Sequence, residues 1–434
     1  MSQDWSPGGD HEAFTQWALE NGVVANGVTP ARFPGRGLGM RATRKIKRGE
    51  AVVQVPTSVI LTLASVPETF RSKFPEGTGT QAMMAAFLTH GDEEQLEKYQ
   101  LWFKTWPPRQ DFEETLPLLW PRELGGLAWP DSSAASNAGL ASLPNFLPPC
   151  ISGRWNTISP GPRTKKYESV HQNLMAEQER RLRKSWESVI SVLPDTDWRS
   201  FSYYWLILNT RSFYWVEADQ EPPEDRNDAM ALLPFADYFN HSDIEVIPGQ
   251  CDVKFDSNEY TLRATEDYNE GDEVYMSYGS HPNDFLLAEY GFYLDKSSSD
   301  CVYLDDIIFR DLSSPDKQEE LSLNQYYGEY RVHADGVCYR TEVAASLVYM
   351  EEEDWRNHVL EGSTKGMDVK KLTAVIGGWL QTYITEAEAT IKSIEEAEET
   401  NAVIQAHHAK AQSLRRRWAQ IKNICETALK EISL

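Results

Sequence analysis

Cysteine is scarce in this chain, and no two cysteines are spaced as a metal cluster or a disulfide framework would require. The five form no C-x-x-C pair: Cys150, Cys251, Cys301, Cys338 and Cys425. This spacing argues against zinc-cluster and disulfide-rich proteins, and we predict no metal site. Scattered free thiols are typical of a reducing compartment, so the sequence predicts a protein of the cytoplasm, the nucleus or both.

Positive charge is also in short supply. Lys and Arg number 42 against 66 Asp and Glu, which gives a formal net charge of −24 at pH 7. A protein that binds nucleic acid needs a basic face to contact phosphates, so we expect no nucleic-acid partner. The balance suits a basic, lysine-containing protein partner that is attracted electrostatically; alternatively, the acidity only keeps the protein soluble.

Long apolar runs and leader-like segments are missing as well. No stretch of about 18 apolar residues occurs, so we expect no membrane-spanning segment. Residues 1–10 are polar and lack the apolar core of a secretory signal peptide. No G-x-G-x-x-G motif opens a βαβ unit, which disfavours a Rossmann-type fold. The hydrophobic content of 41% and charged content of 25% are ordinary for a globular protein of one large or two ordinary domains.

What the chain does have is a series of polar side chains at the ends of apolar segments. Asn240-His241 interrupts the apolar run that begins at Leu232, Tyr278-Gly279 ends a strand pattern, and Tyr290-Gly291 ends a short helical pattern. Side chains with a polar tip on a packable body suit a pocket, so this order predicts one. Taken singly, the Asn-His pair can be turn chemistry and each Tyr a half-buried core residue.

The order of these blocks resembles that of the SET-domain protein-lysine methyltransferases, in the branch of Rubisco and ribosomal-protein methyltransferases with a split SET domain. Two earlier blocks belong to the resemblance: Gly35 to Arg44 and Asn209 to Phe213. It covers nearly the whole chain, and its specificity lies in the order of the blocks. It implies an S-adenosylmethionine-dependent protein-lysine N-methyltransferase that acts on a non-histone protein, with a ribosomal protein as the closest analogy.

The resemblance and the hydropathy pattern together predict a mixed α+β fold. Residues 1–300 would form a β-rich SET domain. Its core would lie at about 22–64 and 203–293, interrupted by a helical insert at about 65–202. Within the insert, residues 128–163 are rich in Ser, Asn, Gly and Pro, and we predict a disordered loop that packs poorly.

Residues 301–434 are predicted to form an all-helical domain. Amphipathic patterns from Leu372 to Ile384 and from Leu414 to Leu429 support helices with one apolar face each. The basic run Arg415 to Arg417 is interpreted as a solvated face. The resemblance makes this portion the substrate-binding domain.

The resemblance also implies roles for individual residues. Tyr278 would be the catalytic tyrosine, and Tyr290 its channel-lining partner at the catalytic site. The residues that would hold S-adenosylmethionine are Arg36, Gly37, Leu38, Arg211, Asn240 and His241. The protein substrate would contact Asp237 and Arg211 together with both tyrosines. The chain carries Trp215 where plant Rubisco enzymes have a second arginine, and this leaves the identity of the substrate open.

Other functions stay open at the level of sequence. A protein-histidine N-methyltransferase would use the same cofactor, but imidazole needs no deprotonation of an ammonium group. A catalytically inactive SET-type binding scaffold would typically have lost Asn-His or the tyrosine, and here both are present. An acidic chaperone for basic proteins is supported by charge alone and would not bind S-adenosylmethionine. We expect a monomer in each case.

Overall fold

The computed structural model describes residues 5–34, 36–127, 145–153, 155, 172–216, 220–243, 250–255 and 259–433. Backbone contacts divide the chain into two compact units, each assembled from separate stretches. The first comprises Met1–Phe112, Arg180–His281 and Leu294–Ser299; the second comprises Glu113–Glu179, Pro282–Tyr293 and Asp300–Leu434. The second unit thus draws on both sides of residue 300, where the sequence predicts a domain boundary, and that boundary stays a prediction.

The first unit is built on a seven-stranded sheet. The strands of this unit are β1 (Val24–Ala25), β2 (Val28–Phe33), β3 (Gly37–Ala42), β4 (Ala51–Pro56), β5 (Ser212–Tyr214), β6 (Met230–Leu232), β7 (Gln250–Phe255), β8 (Glu259–Ala264) and β9 (Glu273–Met276). The large sheet has the order β1-β4-β8-β7-β9-β3-β2, while β5 and β6 form a separate pair. β7 runs parallel to β9 and antiparallel to β8.

The helices divide between the two units. Those before residue 212 are α1 (Gly9–Glu20), α2 (Glu68–Arg71), α3 (Thr80–His90), α4 (Glu93–Leu96), α5 (Gln100–Phe103), α6 (Arg109–Thr115), α7 (Pro149–Ser152), α8 (Leu174–Ile190) and α9 (Trp198–Arg211). Those after it are α10 (Asn283–Tyr290), α11 (Asp305–Asp311), α12 (Pro315–Leu323), α13 (Tyr339–Tyr349), α14 (Glu352–Glu361), α15 (Val369–Thr400), α16 (Ala402–Ala406) and α17 (His408–Glu431). α7 and α10 to α17 belong to the second unit, and the division falls within α6 and α8.

α9 shows how the sequence of the first unit places a site residue. The Asp197 carboxylate accepts a hydrogen bond from a backbone N–H of the first turn at 2.8 Å, which caps the helix. Phe201, Trp205 and Leu208 follow at helical spacing and are fully buried. This face packs against α3, so the helix ends at a fixed place and presents Arg211 in its last turn.

The second unit is largely helical. α15 and α17 pack on one another through the predicted apolar faces, with Trp379 and Tyr383 buried on α15 and Leu414 and Trp418 buried on α17. This unit also contains a small sheet that the sequence pattern did not predict. Its strands are β10 (Val302–Tyr303), β11 (Arg331–His333) and β12 (Gly336–Val337), in that order. The predicted mixed α+β class is confirmed.

Part of the predicted disordered loop at 128–163 is packed. Phe146, Leu147 and Ile151 are buried, α7 lies among them, and the Trp418 indole N–H donates to the Phe146 carbonyl oxygen at 2.7 Å. The prediction is therefore wrong for residues 145–153 and 155. A short apolar run supplies enough burial to order the segment despite Pro148, Pro149 and Gly153. The remainder of the predicted loop, 128–144, 154 and 156–163, lies outside the described residues.

The interpretation of the basic run as a solvated face is also wrong at one position. Arg417 is 0% exposed, whereas Arg416 is exposed. Burial of a guanidinium is favourable only with counter-charges, and Asp284 and Asp300 provide them.

Two kinds of feature are absent from the described residues. No helix in this part of the chain is both long and apolar enough to cross a membrane. No group of three or more His, Cys, Asp or Glu side chains in the same residues is arranged to hold a metal ion.

Candidate active site

Asn240 joins three segments of the first unit that are far apart in sequence. Its side-chain amide donates to the Leu38 carbonyl oxygen and to Oε1 of Glu273, at 2.8 Å each. The backbone around it is held as well: its carbonyl accepts from the N–H of Met276 at 3.0 Å, and Met276 accepts from the N–H of Ser242 at 3.2 Å. The Asn-His segment is therefore fixed by sheet-like pairing beside β9, and both amide protons of Asn240 are committed.

Glu273 is the centre of this network. Its side chain is 2% exposed, forms an ion pair with Arg36 at 2.9 Å and accepts a hydrogen bond from the Tyr275 hydroxyl at 2.8 Å. The Arg36 guanidinium also donates to the Tyr275 hydroxyl and lies over the ring of Phe33, 5.3 Å from its centroid. Burial, reinforced by the neighbouring carboxylate, raises the pKa of Tyr275, so its hydroxyl stays protonated. The buried charge of Glu273 thus holds both Arg36 and Asn240.

The predicted site did not include Glu273, Tyr275 or Gly39. The sequence feature that could have indicated Glu273 is its place directly before the apolar residues of β9, where a charged side chain needs a buried partner. A Cβ atom at Gly39 would lie 2.5 Å from Oε1 of Glu273 and 2.8 Å from Nδ2 of Asn240, so only glycine leaves room for the network. Gly37 differs: its φ is +77°, and a Cβ there would meet open space. The backbone at Gly37 is therefore accessible to a ligand.

His241 and Tyr278 contact each other directly. The Tyr278 backbone N–H donates to Nδ1 of His241 at 3.1 Å, and the two rings are stacked with centroids 5.2 Å apart. Burial, assisted by the charge of His281, lowers the pKa of His241 to about 4, so the imidazole is neutral at pH 7 and can accept at Nδ1. The Tyr278 hydroxyl donates to the Phe239 carbonyl oxygen at 2.7 Å. The phenol is thereby aimed back at the residue that precedes Asn240.

Arg211 and Asp237 form a second contact between predicted site residues. Nη1 of Arg211 donates to the backbone carbonyl oxygen of Asp237 at 3.2 Å and lies 3.7 Å from Oδ2 of the Asp237 carboxylate. The same Oδ2 accepts a hydrogen bond from the Trp102 indole N–H at 3.1 Å. Burial raises the pKa of Asp237, and the charge of Arg211 opposes that shift. Its Oδ1 is buried and has no hydrogen-bond partner among the described residues. An unpaired oxygen of this kind can accept from a ligand.

The backbone that leads into Asp237 is strained. Phe235 is fully buried and has φ +71° and ψ −35°, a conformation that residues with a Cβ rarely adopt. Strained positions of this kind cluster at functional sites, where the surrounding packing holds them.

Tyr290 belongs to the second unit, where it is the last residue of α10. It is half-buried, and its ring centroid lies 6.4 Å from that of Phe285 and 6.2 Å from that of Phe292. Gly291 follows with φ +81° and ends the helix in a left-handed turn. The predicted role of Tyr290 stays a prediction.

Comparison with known proteins identifies the family. The SET domain model matches residues 37–279, and the model described as the Ribosomal lysine N-methyltransferase 2 C-terminal domain matches residues 300–431. SET domain-containing protein 4 of Mus musculus is 24% identical over 417 residues, which cover 92% of this chain and 87% of that protein. Ribosomal lysine N-methyltransferase 2 of Saccharomyces cerevisiae is 28% identical over 181 residues, 37% of this chain and 36% of that protein.

A solved structure has the same fold. The SET domain of LSMT bound to lysine and AdoHcy superposes with a TM-score of 0.57 at 15% identity, covering 98% of this chain and 92% of that one. At this identity the likeness bears on the fold alone. The SET model spans more than half of the chain, between a glycine-rich strand and the tyrosine after β9. The chain therefore belongs to the SET-domain family, which confirms the family predicted from the order of its motifs.

Proposed function

We propose that the protein is an S-adenosylmethionine-dependent protein-lysine N-methyltransferase whose substrate is a non-histone protein, with ribosomal proteins as the first candidates. The observation that carries the proposal is a pair of adjacent contacts in a SET fold. The Asn240 amide bonds both the Leu38 carbonyl oxygen and Glu273, and the neighbouring His241 bonds Tyr278. The similarity of residues 300–431 to the C-terminal domain of a ribosomal lysine methyltransferase supports the substrate class.

The residues present fit the cofactor. Its amino-acid moiety needs both donors and acceptors, and the accessible backbone at Gly37 together with the fixed loop at Arg36 and Leu38 can provide them. We assign cofactor binding to that loop, to Asn240 and His241, and to Arg211. When bound, S-adenosylmethionine supplies an electrophilic methyl group on a positively charged sulfur.

Tyr278 is the proposed catalytic residue. A lysine amine has a pKa near 10.4 and reacts only as the free base, and a dry channel beside a positive charge favours that form. The Tyr278 phenol, oriented by the Phe239 carbonyl oxygen, can hold the incoming nitrogen in line with the methyl group. Backbone carbonyl oxygens such as that of Phe239 can make weak C–H···O contacts to a methyl group.

Three further assignments belong to the proposal. Asp237 contributes its buried Oδ1 to the substrate side, and Tyr290 lines the lysine channel. Residues 301–434 bind the protein substrate, which we expect to be basic because the chain carries a formal net charge of −24. We expect the enzyme to act as a monomer in the cytoplasm, the nucleus or both.

The test is transfer of tritiated methyl groups to a lysate or to ribosomes from a host that lacks the gene, followed by mass spectrometry of the labelled residue. Label on a lysine, absent with Tyr278→Phe, is the expected result. Label on a histidine would replace the lysine proposal with histidine methylation. Cofactor binding without transfer to any protein would point to an inactive scaffold, and absence of cofactor binding to an acidic chaperone.

A further inference from the structure

The helix that carries Tyr290 is held at its first turn by a buried ionic cluster. Arg417 is 0% exposed; its Nε donates to Oδ1 of Asp284 at 2.7 Å, and its Nη atoms donate to the two carboxylate oxygens of Asp300 at 2.6 and 3.0 Å. Asp300 in turn accepts from the backbone N–H of Asn283 at 3.0 Å and from its side-chain amide at 3.1 Å. Gln420 accepts from both Arg417 and Asn283, at 3.1 and 3.3 Å. The first two residues of α10 are thus bonded to two side chains of α17, Asn283 to Gln420 and Asp284 to Arg417.

The last turn of α10 is held by a different segment. Gln178, on α8 and 0% exposed, donates through Nε2 to the Ala288 carbonyl oxygen and to Oε2 of Glu289, at 3.1 Å each. The Ala288 carbonyl is one of the four at the end of a helix that have no partner within the helix. A Cβ atom at Gly291 would lie 2.8 Å from Cβ of Thr115, so the turn after Tyr290 is also closely packed.

These contacts are directional, and stability alone does not account for them. A buried ion pair gains little over apolar side chains of similar volume, because both charges lose their hydration. Bidentate guanidinium–carboxylate bonds and a paired amide instead fix the position and rotation of what they hold. Here they hold both ends of an eight-residue helix that ends in a predicted site residue.

We propose that Arg417 and Gln178 are positioning residues for Tyr290: they fix the first and last turns of α10, and through that helix the place of the Tyr290 phenol. The inference rests on the proposed methyl transfer. It gives α17 a second role besides its part in the proposed substrate-binding portion, residues 301–434. Its side chains set the geometry of α10, which precedes α17 by more than a hundred residues in sequence.

The experiment is a pair of double-mutant cycles in the full chain. Arg417→Lys and Gln178→Met are each made in the wild-type and Tyr290→Phe backgrounds, with Arg416→Lys, an exposed neighbour on α17, as the matched control. Turnover number, KM for the protein substrate, the ratio of mono-, di- and trimethylated product, and cofactor affinity by calorimetry are measured for each. Thermal melts identify any variant that does not fold. Gln420→Leu, which keeps the charged cluster intact, takes the place of such a variant.

The positioning variants should lower the turnover number about tenfold and change the ratio of methylated products, because a small misplacement of a site group is costly. Cofactor affinity should stay at the wild-type value, and in the Tyr290→Phe background the same substitutions should have little further effect. Equal losses in both backgrounds would overturn the inference and leave a purely structural role. A wild-type protein that transfers no methyl group would instead contradict the proposed function, a result seen before any variant is made.

Discussion

Glu273→Gln changes one group at the centre of the cofactor-side network and keeps the shape of the side chain. The carboxylate accepts from Asn240 on one oxygen, and from Tyr275 and Arg36 on the other, at 2.8 to 2.9 Å. An amide has only one accepting oxygen, so its NH₂ group must face a donor on one side or the other. A buried donor left without a partner costs about 1–3 kcal/mol. The cost is smaller at Arg36, because its half-exposed side chain can bond water instead.

We expect the free energy of unfolding to fall by about this amount, since Arg36 or Asn240 loses its acceptor. Cofactor affinity should fall about tenfold or more, because the binding loop loses part of its support. A loss of about 1.4 kcal/mol of binding free energy corresponds to a tenfold weaker affinity. Calorimetry on the folded variant measures the affinity, and urea unfolding measures the stability.

The matched control is Glu259→Gln in the same sheet. Its Oε1 accepts from both Gln54, at 2.7 Å, and Thr261, at 2.8 Å, so a glutamine oxygen in the same place can keep both bonds. The control makes the same substitution away from the predicted site and should keep wild-type affinity for the cofactor. A folded Glu273→Gln protein with unchanged affinity would refute the view that this carboxylate organises the binding loop.

Four further predictions follow from the same contacts. Asn240→Ala should weaken cofactor binding about tenfold or more in calorimetry, because it leaves two buried acceptors short of a donor. Tyr278→Phe should lower the turnover number about 10²- to 10⁴-fold while cofactor affinity stays near wild type. Tyr290→Phe should lower the turnover number less, or change the methylation level seen in product mass spectra. The opposite ranking would reverse the two assignments. The pKa of His241 is lowered to about 4 in the folded chain, so the unfolded chain binds more protons below about pH 6.5. The free energy of unfolding should therefore fall as the pH drops from about 6.5 to 4. Chemical unfolding of His241→Asn across this range should show a smaller fall. Ile151→Ala should cost about 2–5 kcal/mol of unfolding free energy if the segment around α7 is core, and no loss would favour the loop predicted from its composition.

Local patterns predicted the elements of the fold well. The helical spacing of apolar residues identified the buried faces of α15 and α17. The order of the Asn240-His241 and Tyr278-Gly279 blocks was enough to identify the family.

Pairings between distant residues could not be predicted in this way. Glu273 holds Arg36 across more than two hundred residues, and nothing near either residue indicates the other. Arg417 has the sequence environment of a surface residue, and its burial depends on two carboxylates far upstream. The packing of residues 145–153 involves a tryptophan of α17, so a window of local composition misses it.

The burial of Arg417 also limits how far the C-terminal portion can be treated as a separate module. A chain that stopped near residue 300 would keep Asp284 and Asp300 but lose the cation that lies between them. Two neighbouring carboxyl groups in an apolar setting would then repel each other or take up protons, and α10 would lose the bonds that fix its first turn. Nonsense alleles that remove α17 should therefore behave as null alleles for turnover even where the SET sequence is intact. For the same reason, exchanging the C-terminal portion with that of a relative should succeed only when α10 and α17 are transferred together, because the acidic and basic halves of the cluster must be inherited as a pair.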